Sequence, residues 1–218
     1  QDVRGLGDVG PAGALPFVEG IAAILSRLGP VKAFPLVIDM KEVYGFVNIA
    51  GPISPGFAGL VLGGIREPEI MKIHERLDES LPIPVFLTGL HGIAVAALAA
   101  LDKALYRLGK TRETARVAVN GASEAACGMT ELLKAAGYEK VIVLDSKGAI
   151  YKDREADMPE HVRRIAELTN SSKVKGRLSD VMPDRDVCLS FNGGETLKSS
   201  LIRSMKKPAI VFSLGEPS

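Results

Sequence analysis

Residues 117–145, VAVNGASEAACGMTELLKAAGYEKVIVLD, constrain the fold more than any other stretch of the chain. The apolar run Val117-Ala118-Val119 meets Asn120-Gly121, and a segment of helical period follows over 123–136. Gly137 stops that helix, and Val141-Ile142-Val143-Leu144 reads as a second buried strand ending in Asp145. Strand, tight turn, helix and strand make the βαβ unit of a dinucleotide site. In such a unit the glycine turn brings backbone close to a pyrophosphate, and an acid about 20 residues on accepts from the ribose. Asp145 stands near that spacing. The glycines depart from the pattern: where G-x-G-x-x-G/A is called for, the chain has Gly121, Ser123 and Ala126, with Glu124 in the turn.

The flanking sequence alternates in the same way. Helical segments are expected at 15–28, 41–49, 67–80, 92–108, 160–168 and 195–205. Strands are expected at 33–40, 59–62, 83–87, 186–191 and 209–214, with a polar loop over 146–157. Arg27, Gly29 and Pro30 mark the end of the first helix, and Thr88 is a candidate N-cap for the Ala- and Leu-rich helix after it. This spacing predicts an α/β chain, with mostly parallel sheets and helices on both faces. The polar linker 109–114 divides it into an α/β portion, 1–109, and a Rossmann-type portion, 110–218.

Composition bounds the function. With 218 residues and 46% hydrophobic content the chain can bury a substantial core. A net charge of +1 argues against nucleic acid or an anionic membrane as partner. The most apolar run, 92–101, is too short to span a bilayer, so no membrane is expected. Cys127 and Cys188 have no metal-ligand spacing, which favours a reducing compartment, and no signal peptide is visible; a cytoplasmic protein is expected. The first residue is Gln, as in a processed chain or part of a longer one.

The series GLGDVGPAGALPFVEG, LPIPVF, VNGASEAA, LDSKGAIY and VFSLGEPS resembles the malic enzymes, NAD(P)- and metal-dependent decarboxylating malate dehydrogenases of the small bacterial or archaeal type. The resemblance runs over essentially the whole chain. It implies an N-terminal segment with a catalytic Tyr, further helices after the last strand, and assembly into dimers or larger oligomers. It also implies a Lys as acid or base after Glu19-Gly20, where this chain has Ile21. A metal-binding Glu-Asp pair falls on Gly63 and Gly64, and a second acidic pair falls within Leu87, Thr88, Gly89 and Leu90. An Asn that contacts substrate falls on Glu216. An isoleucine cannot move a proton, and Mg²⁺ or Mn²⁺ needs hard carboxylate oxygens. No divalent metal and no malic enzyme activity are therefore expected.

The remaining candidates have bland readings beside functional ones. Asp8 and Glu19 match the family, yet suit a turn and a helix surface. His91 suits a helix start, and Cys127 a core-facing position. Lys173, Lys175, Arg177, Lys198, Arg203, Lys206 and Lys207 are interspersed with acids and suit a solvated surface. For the cofactor the candidates are Gly121, Ser123, Asp145 and Lys147. Asp145 could accept from a ribose hydroxyl, Lys147 could meet a 2′-phosphate, and the tetrapeptide Asp145-Ser146-Lys147-Gly148 could equally be an ordinary turn. Ser123 can cap the helix it precedes, and Glu124 complements the helix dipole while repelling a pyrophosphate.

Three functions compete. The first is a catalytically degenerate malic enzyme homologue, structural, assembly-forming or regulatory, with no cofactor. The second is an NAD- or NADP-binding oxidoreductase of altered chemistry. The third is one chain of a split or altered enzyme. The first is the expectation, with a homo-oligomer as the partner state.

Overall fold

The computed structural model describes residues 2–3, 6–40, 42–65, 69–154, 158–192 and 197–215. The chain falls into two compact units, Gln1–Thr88 and Gly89–Ser218.

The first unit opens with a two-strand antiparallel ladder, β1 (Asp2–Val3) and β2 (Gly7–Asp8). Helix α1 (Gly10–Leu28) follows, with Pro11 in its first turn and Arg27 in its last. Helix α2 (Val43–Ile53) packs on α3 (Glu69–Ser80), and β3 (Leu60–Leu62) pairs in parallel with β4 (Val85–Leu87). On α3, Ile73 and Leu77 are buried one helical turn apart, so the spacing that identifies the helix also identifies its inner face. His74 of the same helix reaches the Val85 carbonyl at 3.0 Å and ties α3 to β4.

Two expectations in this unit are corrected. Residues 33–40 form no strand: their burial alternates over 33–37 as in extended chain, but among the described residues no strand pairs with them, and Pro35 offers no donor. Thr88 does not cap the following helix. It begins a π-helical turn, Thr88–Gly92, and the residue before that helix's first turn is Gly92, with no side-chain cap. Helix α1 also differs from expectation in its surroundings. Of its side chains only Ala14 and Ala22 are buried, while Ile24 and Leu28 are 60% and 82% exposed. Among the described residues it is the one helix long and apolar enough, by length and composition, to cross a membrane, although core helices and signal sequences meet the same criterion and it carries Glu19 and Arg27.

The second unit is built on a five-stranded sheet of order β7-β6-β5-β8-β9. Its strands are β5 (Arg116–Asn120), β6 (Lys140–Asp145), β7 (Gly148–Ala149), β8 (Val187–Ser190) and β9 (Ile210–Ser213). All pairs are parallel except β6 with β7. The side-chain period of two sorts the core. Val117, Val119, Val141, Val143, Val187 and Leu189 face one layer, and Ala118, Ile142, Leu144 and Cys188 face the other.

The first layer is completed by α4 (Ile93–Arg107), α5 (Glu124–Ala135) and α6 (Glu160–Leu168) through Leu101, Leu105, Met129, Leu133 and Ile165. The second is completed by α7 (Leu178–Val181) and the 3₁₀ turn Met182–Asp184, with Met205 beyond α8 (Ser199–Ser204). Each fully buried Val or Leu contributes roughly 1.5–3 kcal/mol, which is why strands this apolar sit at the centre of the sheet. Helix α4 shares this core, and the division into compact units falls between Thr88 and Gly89.

Helix α5 ends as its sequence demands. Tyr138 N–H bonds the Leu133 carbonyl and Gly137 N–H bonds that of Lys134, the two bonds of a Schellman cap. The expected helix over 195–205 is observed as α8, while residues 195–196 lie outside the described residues.

Candidate functional site

In a parallel sheet the ligand crevice opens at the carboxyl ends of the strands, where successive connections leave in opposite directions. In the second unit that point lies between β5 and β8. The chain leaves β5 through α5 to reach β6 on one side, then crosses back to β8 on the other. The turn at this point is 120–123. Gly121 has φ +125°, a conformation open to glycine, and its N–H bonds the Leu144 carbonyl at 2.8 Å. A β-carbon there would meet Asn192 Oδ1 and Phe191 Cβ, each at 3.2 Å.

Ser123 is the N-cap of α5. Its exposed side chain accepts from the Ala126 N–H at 3.3 Å, so the hydroxyl satisfies a donor that a bound pyrophosphate would otherwise take.

Register places Asn120 beside Leu144, so Asp145 lies on the same edge as the turn. The structure thus brings Gly121, Ser123, Asp145 and Lys147 to one end of the sheet. Asp145 is engaged. Its Oδ1 accepts from Arg154 Nη1 at 3.0 Å and from the Lys147 N–H at 2.9 Å, and its Oδ2 pairs with Arg154 Nη2. Burial raises the pKa of this carboxyl. The Arg154 hydrogen bond and the amides of Lys147 and Gly148 outweigh that and hold it below the usual aspartate value. Lys147 lies in the turn with an exposed side chain and contributes its amide to Asp145.

The sequence reading missed a polar cluster at the switch point. Asn120 Nδ2 donates to Ser190 Oγ at 3.1 Å, Ser190 Oγ donates to the Asn192 carbonyl at 3.3 Å, and Asn192 Nδ2 donates to Asn120 Oδ1 at 3.3 Å. Asn120 and Ser190 are buried, and the closed cycle satisfies them. In the sequence Asn120 reads as a turn residue, and nothing local announces that it meets a strand tip seventy residues on.

A dinucleotide does not fit these residues well. The helix N-terminus is capped by its own serine, the second glycine position carries an exposed side chain, and the ribose acid holds an arginine. Gly121 alone keeps the form that such a cofactor needs.

In the first unit, Ile21 and Thr88, two positions singled out by the resemblance, lie near a third, Gly63. A β-carbon on Gly63 would stand 3.6 Å from Thr88 Oγ1, 3.9 Å from Phe17 and 4.0 Å from Ile21 Cδ1. Methyl, ring and hydroxyl groups therefore surround the position of Gly63. Among the described residues no group of three or more His, Cys, Asp or Glu side chains is placed to hold a metal. Asp8 accepts from the Gly10 N–H at 3.1 Å, a turn role, and Glu19 is exposed on α1. His91 lies in the π-helical turn, Cys127 is buried in the α5 core, and Lys173 pairs with Asp153. Glu216 lies outside the described residues.

Comparison with known proteins agrees with the resemblance. No family model matches the chain. It is 37% identical over 215 residues to an NAD-dependent malic enzyme of Geobacillus stearothermophilus, covering 99% of this chain and 45% of the relative. It is 35% identical over 216 residues to a bifunctional malic/malolactic enzyme of Bacillus subtilis, covering 99% and 53%. A crystal structure of the NAD-dependent malic enzyme from Thermotoga maritima matches with a TM-score of 0.88 at 32% identity, covering 100% of this chain and 59% of that one. The malic enzyme of Pyrococcus horikoshii matches with a TM-score of 0.84 at 32% identity, covering 97% and 52%. The chain spans about half the length of the curated relatives it matches, 45% and 53% for these two. By sequence and by fold, along a stretch about half the length of those relatives, the chain is similar to the malic enzymes.

Proposed function

We propose that the chain is a catalytically degenerate malic enzyme homologue, with a structural, assembly-forming or regulatory role and no bound cofactor. One observation carries the reading: a β-carbon on Gly63 would have Thr88 Oγ1 at 3.6 Å and Ile21 Cδ1 at 4.0 Å. Oxidative decarboxylation of malate needs a proton-transfer group and a Lewis acid held by hard oxygens. The side chains gathered here supply neither. Self-association is part of the proposal, supported by the exposed Ile24, Leu28, Phe34 and Leu36 of the first unit. A cytoplasmic location is proposed from the two buried free thiols.

The test is reduction of NAD⁺ or NADP⁺ by the purified chain with L-malate and Mn²⁺, followed at 340 nm. No turnover is expected with either nucleotide, and measurable reduction that depends on Mn²⁺ overturns the reading. Light scattering tests the assembly, with a species larger than one chain expected and a monomer at all concentrations contradicting it.

A second reading is favoured by the left-handed Gly121 and the polar cluster at the switch point: a nucleotide-binding oxidoreductase of altered chemistry. Calorimetric binding of NAD(H) or NADP(H) would select it.

A further inference from the structure

We infer that the amino edge of the five-stranded sheet carries an oxyanion site, in which Arg116 and Arg185 hold a phosphoryl group and Asp184 is the internal carboxylate that the group displaces. The site lies at the opposite end of the strands from the Gly121 turn. It does not depend on whether the chain binds a dinucleotide or turns over malate.

Three segments converge at this edge. Arg116 opens β5; its N–H bonds Asp186 Oδ2 at 2.9 Å, and its carbonyl accepts from the Asp186 N–H at 2.9 Å. Residues 184–186 lead from the 3₁₀ turn into β8. The Arg185 carbonyl accepts from the Lys206 N–H at 3.1 Å, which brings in the approach to β9. Backbone bonds therefore hold Arg116, Arg185 and Lys206 at neighbouring strand starts, and register puts Lys140 beside Arg116.

The charges at this edge do not balance. Asp186 is taken by Lys110 at 2.6 Å. Arg116, Lys140, Arg185 and Lys206 remain, with Asp184 and the exposed Glu139 as acids. Asp184 serves both arginines: Oδ2 accepts from Arg185 Nη2 at 3.0 Å, and Oδ1 pairs with Arg116 Nη1. Two guanidiniums thus share one carboxylate, and the buried Arg185 Nε has no hydrogen-bond partner among the described residues. A side chain only 8% exposed ordinarily has its donors filled. Burial lowers the Arg185 pKa and the neighbouring Arg116 adds to this, so Asp184 and Asp186 do not fully offset the enclosed charge.

A tetrahedral dianion supplies what the single carboxylate lacks. Its oxygens can span two guanidiniums, bring a second negative charge, and meet Nε together with Nη2 in a two-point contact. Asp184 is the movable member of the group, 55% exposed on a short turn, while Arg185 is enclosed. When Asp184 turns to solvent, the incoming anion leaves neither guanidinium unpaired, which removes the cost of breaking a buried pair. The exposed Lys206 adds attraction at the entrance.

The experiment is calorimetric titration of the full chain at about pH 8, where phosphate is largely a dianion, with inorganic phosphate and separately with methyl phosphate. Ionic strength is held constant with sodium chloride, and thermal melts are run in the same buffers. Saturable millimolar binding and a raised Tm are expected for the natural chain, and neither with chloride alone. Asp184→Asn removes the competing charge and is expected to bind at least about threefold tighter. Arg116→Gln is expected to bind at least about fivefold weaker, and Arg185→Met not measurably.

Binding of inorganic phosphate alone supports the inference with the free ion as ligand, and binding of methyl phosphate supports it with a phosphate monoester. No saturable binding of either by the natural chain overturns it. So does binding that Arg116→Gln leaves unchanged, or that Asp184→Asn fails to tighten. Should Arg185→Met not fold, Arg116→Gln, at a side chain 39% exposed, decides by the same comparison.

Discussion

Tyr138, wholly buried just before β6, donates its hydroxyl hydrogen bond to Asp102 of α4 at 2.8 Å. Arg112 reaches the same carboxylate from the linker, with Nε 2.9 Å from Oδ1, and its Nη1 bonds the Ala136 carbonyl at 3.0 Å. One carboxylate thus joins α4, the linker and the end of α5. Burial and the neighbouring Asp102 both push the tyrosine pKa up, so the hydroxyl stays a donor at any ordinary pH. Tyr138→Phe removes the donor but leaves Asp102 its arginine. The expected loss is about 1–2 kcal/mol of unfolding free energy, read as a lower urea midpoint at unchanged slope.

Acid should weaken the second unit in a defined window. Asp102, Asp145 and Asp186 are all held below the usual aspartate value. Asp102 is lowered chiefly by its Arg112 hydrogen bond. For Asp145 and Asp186 burial acts upward first and is outweighed, by Arg154 in one case and by Lys110 with the Arg116 amide in the other. A carboxyl whose pKa is lower in the folded chain contributes stability above its unfolded value, about 3.9, and loses it as pH falls through the folded value. Urea midpoints should therefore be steady from neutral pH to about 5 and drop steeply below about 4. In Asp186→Asn the acid slope should be shallower; an unchanged slope would remove Asp186 from the account.

Gly148 should tolerate no side chain. It has φ +118°, and a β-carbon would lie 2.5 Å from the Gly176 carbonyl oxygen, which is backbone and cannot swing aside. Gly148→Ala should destabilise by at least about 2 kcal/mol, combining backbone strain with displacement of the 176 segment. Thermal unfolding within error of the natural chain would show that the two segments are not in this contact.

Both thiols should be silent in the native chain. Cys127 and Cys188 are 2% and 0% exposed, and burial pushes the Cys188 thiol up to about 12, so almost no thiolate is present at neutral pH. A thiol reagent such as DTNB should titrate neither at pH 7.5 without denaturant and both in guanidinium. Rapid labelling of the native chain would contradict the packing of α5 and β8.

What was legible in the sequence is what period and punctuation encode. The β5–α5–β6 unit is read to within a residue or two, because Gly137 ends the helix and the strands are continuous apolar runs. The bounds of α6 follow from its apolar spacing. Residues 33–40 misled because they have a strand's composition, while pairing is not a local property. Strand β7 was absorbed into a polar loop, being two residues long with the only antiparallel partner in its sheet. At the site, Gly121, Ser123 and Asp145 were visible from spacing. Arg154, nine residues beyond its partner, was not, since only the fold of the 146–153 loop returns it to Asp145. The Asn120–Ser190–Asn192 cycle was hidden for the same reason over a longer separation.

Strand β7 also decides how this sheet meets other chains. An exposed strand edge invites a stranger to add a strand, the first step of many aggregates. Here the edge is two residues long, the Ala149 N–H already bonds the Gly176 carbonyl at 2.8 Å, and the Ile150 N–H turns back to Val143. Over β7 itself, a foreign backbone therefore finds little to template on. The same short hairpin that carries Arg154 to Asp145 therefore acts as a selvedge, closing the weave of the sheet on that side.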